Sequence, residues 1–289
     1  MTNKQKVWGL GLLTVFLWAS AFPLTKIVQE QFTSNSLGFL RCSIASILLL
    51  LMGKCSHIRR PQKQDIPWFF LSGGLGFTIY MIAFNTGIQT LTSATSSIVI
   101  AITPILTAIA AAKLYQERIR PLGWISIFMA FVGVLILLLW EGIFSINIGL
   151  IWTVCASLVF CSYNILSRRL SQKKGYSSLE IVTYSMLCGA IFLGFWCLKG
   201  FQELSTASAK HILALVYLGT LPSACAYFFW GKAMSLAERT SEVTNFMFVT
   251  PLLSTIMGFL LLKEVPNTGT FIGGTIIIIS IIVFNLKGK

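Results

Sequence analysis

Apolar residues run along this chain in long blocks separated by short polar breaks. Ten blocks stand out, at about 7–27, 34–53, 67–89, 95–115, 121–140, 147–168, 178–198, 211–233, 242–262 and 267–286. Wound as a helix, each is long enough to cross the core of a bilayer. In lipid only helices or closed barrels satisfy every backbone group, and these continuous runs lack the in–out alternation of barrel strands. The pattern predicts an all-α membrane protein with ten transmembrane helices and no separate extramembrane domain. The first block follows Lys4 and Lys6 and reaches Ala19-Ser20-Ala21, which has the form of a cleavable secretory signal. Its apolar character continues through Phe22, Pro23 and Leu24 and a partner block follows, so it reads as a retained span.

Composition and charge agree. Of 289 residues 55% are hydrophobic and 11% charged, against about 25% charged in soluble domains. The net charge of +13 does not point to nucleic acid, because no stretch mixes basic and aromatic residues in a polar background. It fits a cytoplasmic excess of Lys and Arg beside the spans. With both termini in the cytoplasm, only Lys26, Lys199, Lys210 and Lys263 fall on the far side, while Arg41 and Lys232 fall within spans. The expected location is the cytoplasmic (inner) membrane. Seven cysteines lie mostly inside apolar runs and form no C-x-x-C pair, so they read as small buried hydrophobes, not as metal ligands or disulfides.

One frame occurs twice. Thr103-Pro104, Leu106, Ile109, Leu114 and Glu117 return 147 positions later as Thr250-Pro251, Leu253, Ile256, Leu261 and Glu264, and Tyr80 and Tyr227 share the same offset. A long repeat fixes architecture before any local detail. It divides the chain into two five-helix units, 1–140 and 141–289. With five spans per unit, the second begins on the opposite side of the membrane. Glu117 then lies at the cytoplasmic face and Glu264 at the outer face, so the repeats are inverted, the arrangement in which carriers place a site near the midplane.

The segment Trp18-Ala19-Ser20-Ala21-Phe22-Pro23 with Lys26, the glycines Gly73, Gly74 and Gly76 ahead of Tyr80, and the doubled Thr-Pro to Glu frame occur in order along the chain. Together they resemble the drug/metabolite transporter superfamily, specifically its EamA-like bacterial carriers. That resemblance implies two inverted five-helix repeats around a central cavity, alternating access, and substrates such as amino acids and other metabolites moved outward. The sixth span echoes the first only weakly: Phe160-Cys161-Ser162-Tyr163-Asn164 stands where Trp18 to Phe22 would.

Candidate site residues follow from chemistry that is costly in lipid. Trp18, Tyr80, Tyr163, Tyr227 and Trp230 offer apolar faces with one polar edge; Trp18, Tyr80, Tyr163 and Tyr227 are expected to line a cavity, whereas Trp8, Trp68, Trp140 and Trp196 read as interfacial anchors. Ser20, Thr103 and Thr250 are polar groups in mid-span, and Asn85, Asn164 and Asn245 are the costlier amides. Arg41 either snorkels to the outer interface or faces the cavity, where it can hold a carboxylate. Lys26 and Lys232 are expected to snorkel. Pro104 and Pro251 are expected to break their helices from within and act as pivots. Glu117 and Glu264 are assigned to gating or structure, beside Arg118 or Arg120 and beside Lys263 respectively. No acidic residue occupies a span centre, which argues against a proton relay and for facilitated flow or exchange, with coupling through Glu242 as the alternative. Gly269 and Gly273 form a close-packing G-x-x-x-G face, either within a monomer or between two copies.

Neither a P-loop, an H-E-x-x-H nor a G-x-S-x-G is present, so ATP-driven pumping and common hydrolytic chemistry have no sequence signature here. The reading is a non-enzymatic secondary carrier of small metabolites, without cofactor or metal. An exporter of amino acids or related compounds comes first. Uptake or exchange of another small organic solute, anionic if Arg41 faces inward, is the alternative, and an intramembrane enzyme the remote one.

Overall fold

The structure is a computed structural model, and it describes residues 2–115, 120–140, 147–237, 243 and 245–287, with a few side chains among them, Asn245 included, left out. Among the described residues every regular element is helical. Six helical segments are long and apolar enough to cross a membrane: Asn3–Gln29, Ser34–Cys55, Lys63–Gly87, Ile148–Lys174, Ser178–Ser205 and Ala209–Leu236. Shorter apolar helices cover much of 93–107, 121–133, 250–262 and 268–284. Large apolar side chains on the outside, such as Phe128, Phe195, Leu198 and Leu213, are more than half exposed. A surface of that kind requires lipid.

Local sequence sets the helix ends. Helix α1 (Asn3–Gln29) starts at a capping box in which the Thr2 hydroxyl accepts from the Gln5 N–H and the Gln5 side chain returns the bond. Helix α2 (Ser34–Cys55) turns back after a short loop. Helices α3 (Ile66–Gly73) and α4 (Tyr80–Gly87) are one span interrupted by a π-helical stretch over Gly74–Ile79. The expected span at 95–115 is two helices, α5 (Ser93–Ile100) and α6 (Thr103–Tyr115), with a turn at Ala101 and Ile102. Helix α7 (Pro121–Leu139) has proline in its first turn. Helix α8 (Ile148–Lys174) runs six residues past its expected end and stops at Gly175, whose φ of 65° is the left-handed cap that glycine adopts freely. Helix α9 (Ser178–Leu193) opens on a second capping box, Ser177 with Glu180, and α10 (Cys197–Ser205) extends that span beyond its expected end. Helices α11 (Ala209–Leu218) and α12 (Ala226–Leu236) flank a second π-helical stretch, Gly219–Cys225. Helices α13 (Thr250–Leu262) and α14 (Thr268–Lys287) complete the chain.

Proline placement corrects one expectation. Pro104 and Pro251 do not interrupt helices from within; each is the second residue of a new helix, α6 and α13. In a first turn the missing N–H has no partner to lose, so proline there starts a helix and does not kink it. The break precedes each proline, as a turn at 101–102 in one case and a 3-10 helix at Asn245–Val249 in the other.

Helix α1 packs on α12 and α13, α2 on α9, and α4 on α8, so the first and second halves of the chain interleave. Close approach is made by glycine. A Cβ on Gly73 would lie 2.5 Å from the Ser185 carbonyl and 2.8 Å from the Gly189 nitrogen, and one on Gly87 would lie 2.9 Å from the Gly149 carbonyl. Helices α7 and α14 pack mainly on each other. There a Cβ on Gly133 would meet the Gly273 carbonyl at 2.8 Å, so the face carrying the G-x-x-x-G is used inside the chain.

Candidate functional site

Two chambers open inside the bundle, one lined from both halves of the chain and one from the second half alone. The inner one has a volume of about 30 Å³ and is lined by Trp18 and Phe22 of α1, Arg41 of α2, Tyr80 of α4, Ser97 of α5, Phe160 of α8, Tyr227 of α12 and Thr250 of α13, among others. The second, about 160 Å³, runs from Tyr163 and Asn164 along Ser171 and Gln172 to Ser178 and Ser235, at the ends of three helices. Tyr227 lines both and forms part of the partition between them. Trp18 closes on the same wall, its ring centroid 5.3 Å from that of Tyr227, 4.9 Å from Trp230 and 5.6 Å from Phe160. Such edge and tilted contacts suit aromatic quadrupoles and hold the rings in fixed attitudes. The Trp18 Nε1–H donates to the Pro222 carbonyl at 3.1 Å, which ties α1 to the π-helical stretch ahead of Tyr227.

Arg41 is the outlier of the site. It is 3% exposed, so it does not snorkel. Its Nε donates to Ser223 Oγ at 2.6 Å and its Nη1 to Thr25 Oγ1 at 3.5 Å, both neutral acceptors. Among the described residues no carboxylate meets it. Insertion scales put a charged side chain at mid-helix at about 2.5–3.5 kcal/mol. Two hydroxyls offset part of that, with three guanidinium N–H donors still to place.

Other candidates fall to either side of the chambers. Asn164 lines the larger one; its Oδ1 accepts from Trp230 Nε1 at 3.4 Å and its Nδ2 has no protein partner. Thr250 Oγ1 is likewise unpartnered in the inner chamber. Asn85 lines neither chamber: its Nδ2 donates to the Ser34 carbonyl at 2.9 Å, a link between α4 and α2, while its Oδ1 has no protein partner. Thr103 turns its hydroxyl onto the Ile100 carbonyl, and Ser20 bonds Leu17 and the Tyr217 hydroxyl, so neither adds to a chamber wall. Glu117, Glu242 and the side chain of Asn245 lie outside the described residues.

The ends of the bundle are fastened differently. At one, the Lys26 ammonium pairs with Glu264 and donates to the Leu91 carbonyl at 2.9 Å, while the second oxygen of Glu264 accepts the Ser93 N–H at 2.7 Å. This corrects two expectations: Lys26 does not snorkel, and the cation of Glu264 is Lys26, 238 residues away, instead of adjacent Lys263. The reason is backbone geometry. Lys263 has a φ of 57° and closes α13 with its N–H on Phe259 and that of Glu264 on Gly258, a Schellman-type end that folds Glu264 back over the helix. The Lys263 ammonium instead stays over its own Phe259 ring, 5.8 Å away. Lys232 is exposed beside Phe228, as a snorkelling lysine would be. At the opposite end, Lys174 pairs with Asp65 at 3.0 Å, the Tyr176 hydroxyl donates to Asp65 at 2.9 Å, and Arg59 pairs with Glu180 at 3.2 Å. These bonds join the α2–α3 loop to the α8–α9 turn, beside the mouth of the larger chamber.

Similarity to known proteins decides the class. The EamA-like transporter family matches residues 6–139 and again 147–286. The chain belongs to the EamA-like transporter family. An uncharacterized transporter, YdfC, of Bacillus subtilis is 31% identical over 91% of this chain and 86% of its own. A probable terminal-alkyne amino-acid exporter of Streptantibioticus cattleyicolor is 27% identical over 99% of this chain and 95% of its own, and an S-adenosylmethionine uptake transporter of Rickettsia prowazekii is 22% identical over 88% and 84%. A crystal structure superposes with a TM-score of 0.70 over 99% of both chains at 18% identity, a likeness of fold. As an EamA-like transporter the chain is a multi-pass membrane protein that moves a solute, with relatives on record for both export and uptake.

Sequence reasoning missed the two π-helical stretches and the partition they support. The signal was available: Gly73, Gly74 and Gly76 precede Tyr80, and Gly219 with Pro222 precedes Tyr227. Single π-turns inside helices gather at functional sites.

Proposed function

We propose that this protein is a secondary carrier that works by alternating access, with ten transmembrane helices in two inverted five-helix repeats, 1–140 and 141–289. Both termini lie on the cytoplasmic side of the inner membrane, and the solute exported is an amino acid or a related small metabolite. The observation that carries this reading is the pair of chambers divided by Tyr227: one reaches the helix ends at 171–178 and 235–237, the other lies among Arg41 and aromatic rings from both halves of the chain. Helix α2 separates the two fastened ends, so the Lys26–Glu264 pair seals the end away from the mouth. In the proposed orientation the mouth faces the cytoplasm and the ion pair is the outer gate. At about 30 Å³ the inner chamber has room for water but not for a metabolite, since ligand sites span about 300–1,000 Å³. Loading therefore includes a widening at the Tyr227 partition. Uptake or exchange of another small organic solute is the second reading, favoured by the lack of a proton-carrying acid among the described residues that line either chamber.

The test is flux in proteoliposomes presented with a mixed amino-acid and metabolite pool. Saturable flux of at least one amino acid is expected, and its absence for every solute would sink the carrier reading. Asn164→Leu removes an amide whose Nδ2 has no protein partner but leaves the buried Trp230 Nε1 without its acceptor, so thermal stability is expected to fall by about 1–2 kcal/mol while flux falls at least ~10-fold through loss of a polar contact worth about 1.5 kcal/mol. Flux at the parental rate in well-folded Asn164→Leu would remove that residue from the pathway.

A further inference from the structure

Five described acidic residues are already engaged away from the chambers. Glu30 meets Lys210 and His211, Asp65 meets Lys174, Glu180 meets Arg59, Glu203 accepts the Thr33 N–H, and Glu264 meets Lys26. None of them lines a chamber, and the charged side chains that do, Arg41 and Arg168, are both cations. Arg41 is held from behind: Ser223 and Thr25, both fully buried, fix Nε and Nη1 and so set the plane of the guanidinium. A planar fork with donors to spare, desolvated and facing a chamber, matches a carboxylate in shape and charge. Around it stand the rings of Trp18, Tyr80, Phe160 and Tyr227, which suit an apolar side group or, over a ring face, an ammonium.

We infer that Arg41 is the docking point for the carboxylate of the transported molecule, which makes this carrier selective for small organic acids, amino acids included, over their amides and decarboxylated amines. The inference rests on the carrier reading and narrows it to a charge type. It explains why a buried cation has no counter-ion among the described residues: the counter-ion is the cargo. It also gives the empty carrier a reason not to return without load, because only the bound acid neutralises Arg41.

The experiment uses the purified full chain and matched probes that differ only at the acid group: phenylalanine, phenylalaninamide and phenethylamine, then leucine, leucinamide and isoamylamine. Thermal stabilisation is measured against concentration, because a ligand of the native state raises its apparent stability. Counterflow in proteoliposomes is run in parallel. An acid is expected to stabilise saturably, with its amide and amine at least ~10-fold weaker. Arg41→Gln is expected to lose about 10- to 100-fold in affinity for that acid, the range for one charged hydrogen-bonding partner, and Arg41→Lys to keep part of it. Should Arg41→Gln not fold, the acid, amide and amine comparison in the parent protein decides. Amides or amines binding as tightly as acids, no acid binding at all, or Arg41→Gln binding the acid as the parent does would each overturn the inference. Saturable flux of amines alone overturns it and leaves the carrier standing, whereas no saturable flux of any solute removes the carrier reading as well.

Discussion

Replacing Gly73 with alanine is expected to destabilise the protein by about 3 kcal/mol, the upper part of the range for overpacking. The added methyl would lie 2.5 Å from the Ser185 carbonyl, 2.7 Å from Cys188 Cβ and 2.8 Å from the Gly189 nitrogen. These are backbone and Cβ atoms, which cannot rotate aside as the tip of a long side chain can. Relief needs helices α3 and α9 to move apart, and the loss extends along their whole contact. Gly9→Ala is the control, because nothing stands within 4 Å of its Cβ position and alanine favours helix. Thermal unfolding in detergent separates the two: a large fall for Gly73→Ala, none for Gly9→Ala. Equal midpoints would show that α3 and α9 are not held as described.

Glu264→Gln is expected to weaken the closed end by about 1–2 kcal/mol. The pair is 25% exposed at Lys26 and 13% at Glu264. Its worth therefore lies between the small value of a surface pair and the large cost of stranding a buried charge. Such a loss changes the ratio of closed to open states by a factor of about 5–30. A cysteine placed at Thr92, in a background without the seven native cysteines, reports it: labelling should speed by at least ~5-fold in Glu264→Gln. Exchanging the two charges, with Lys26→Glu and Glu264→Lys together, should recover only part of the parent's slow rate, because the swapped groups lose the bonds to the Leu91 carbonyl and the Ser93 N–H. An unchanged rate in the single variant would assign the pair to folding alone.

These two residues show what the chain reveals as text and what it does not. The helices were legible because lipid allows few solutions, and blocks of about 20 apolar residues state their own length. Lys174 was less so: the last turn and a half of α8 is polar, extends past the apolar block, and is held by Gly175 and by Asp65. The Thr-Pro frame located two helix starts but suggested two kinks, since proline reads alike in either position until the preceding turn is seen. Aromatic candidates were legible as types. Which of them share a chamber was not, because Trp18, Phe160 and Tyr227 come together only when α1, α8 and α12 pack. The partner of Lys26 is equally non-local. Arg41 stood out by cost alone, and only its burial decided between the two readings open to it. Asn85 meets its cost in part, its Nδ2 on the Ser34 carbonyl and its Oδ1 without a protein partner.

The π-helical stretches at Gly74–Ile79 and Gly219–Cys225 have a mechanical consequence. An α-helix advances about 100° per residue, so a helix that holds a surplus residue has its far part indexed differently from its near part. Tyr80 and Tyr227 both stand just beyond such a surplus. Passing the surplus one position along would swivel a tyrosine ring without bending its axis or changing the length that must match the bilayer. The partition between the chambers can thus turn like a key in a lock, while the glycine-packed helices around it stay where they are.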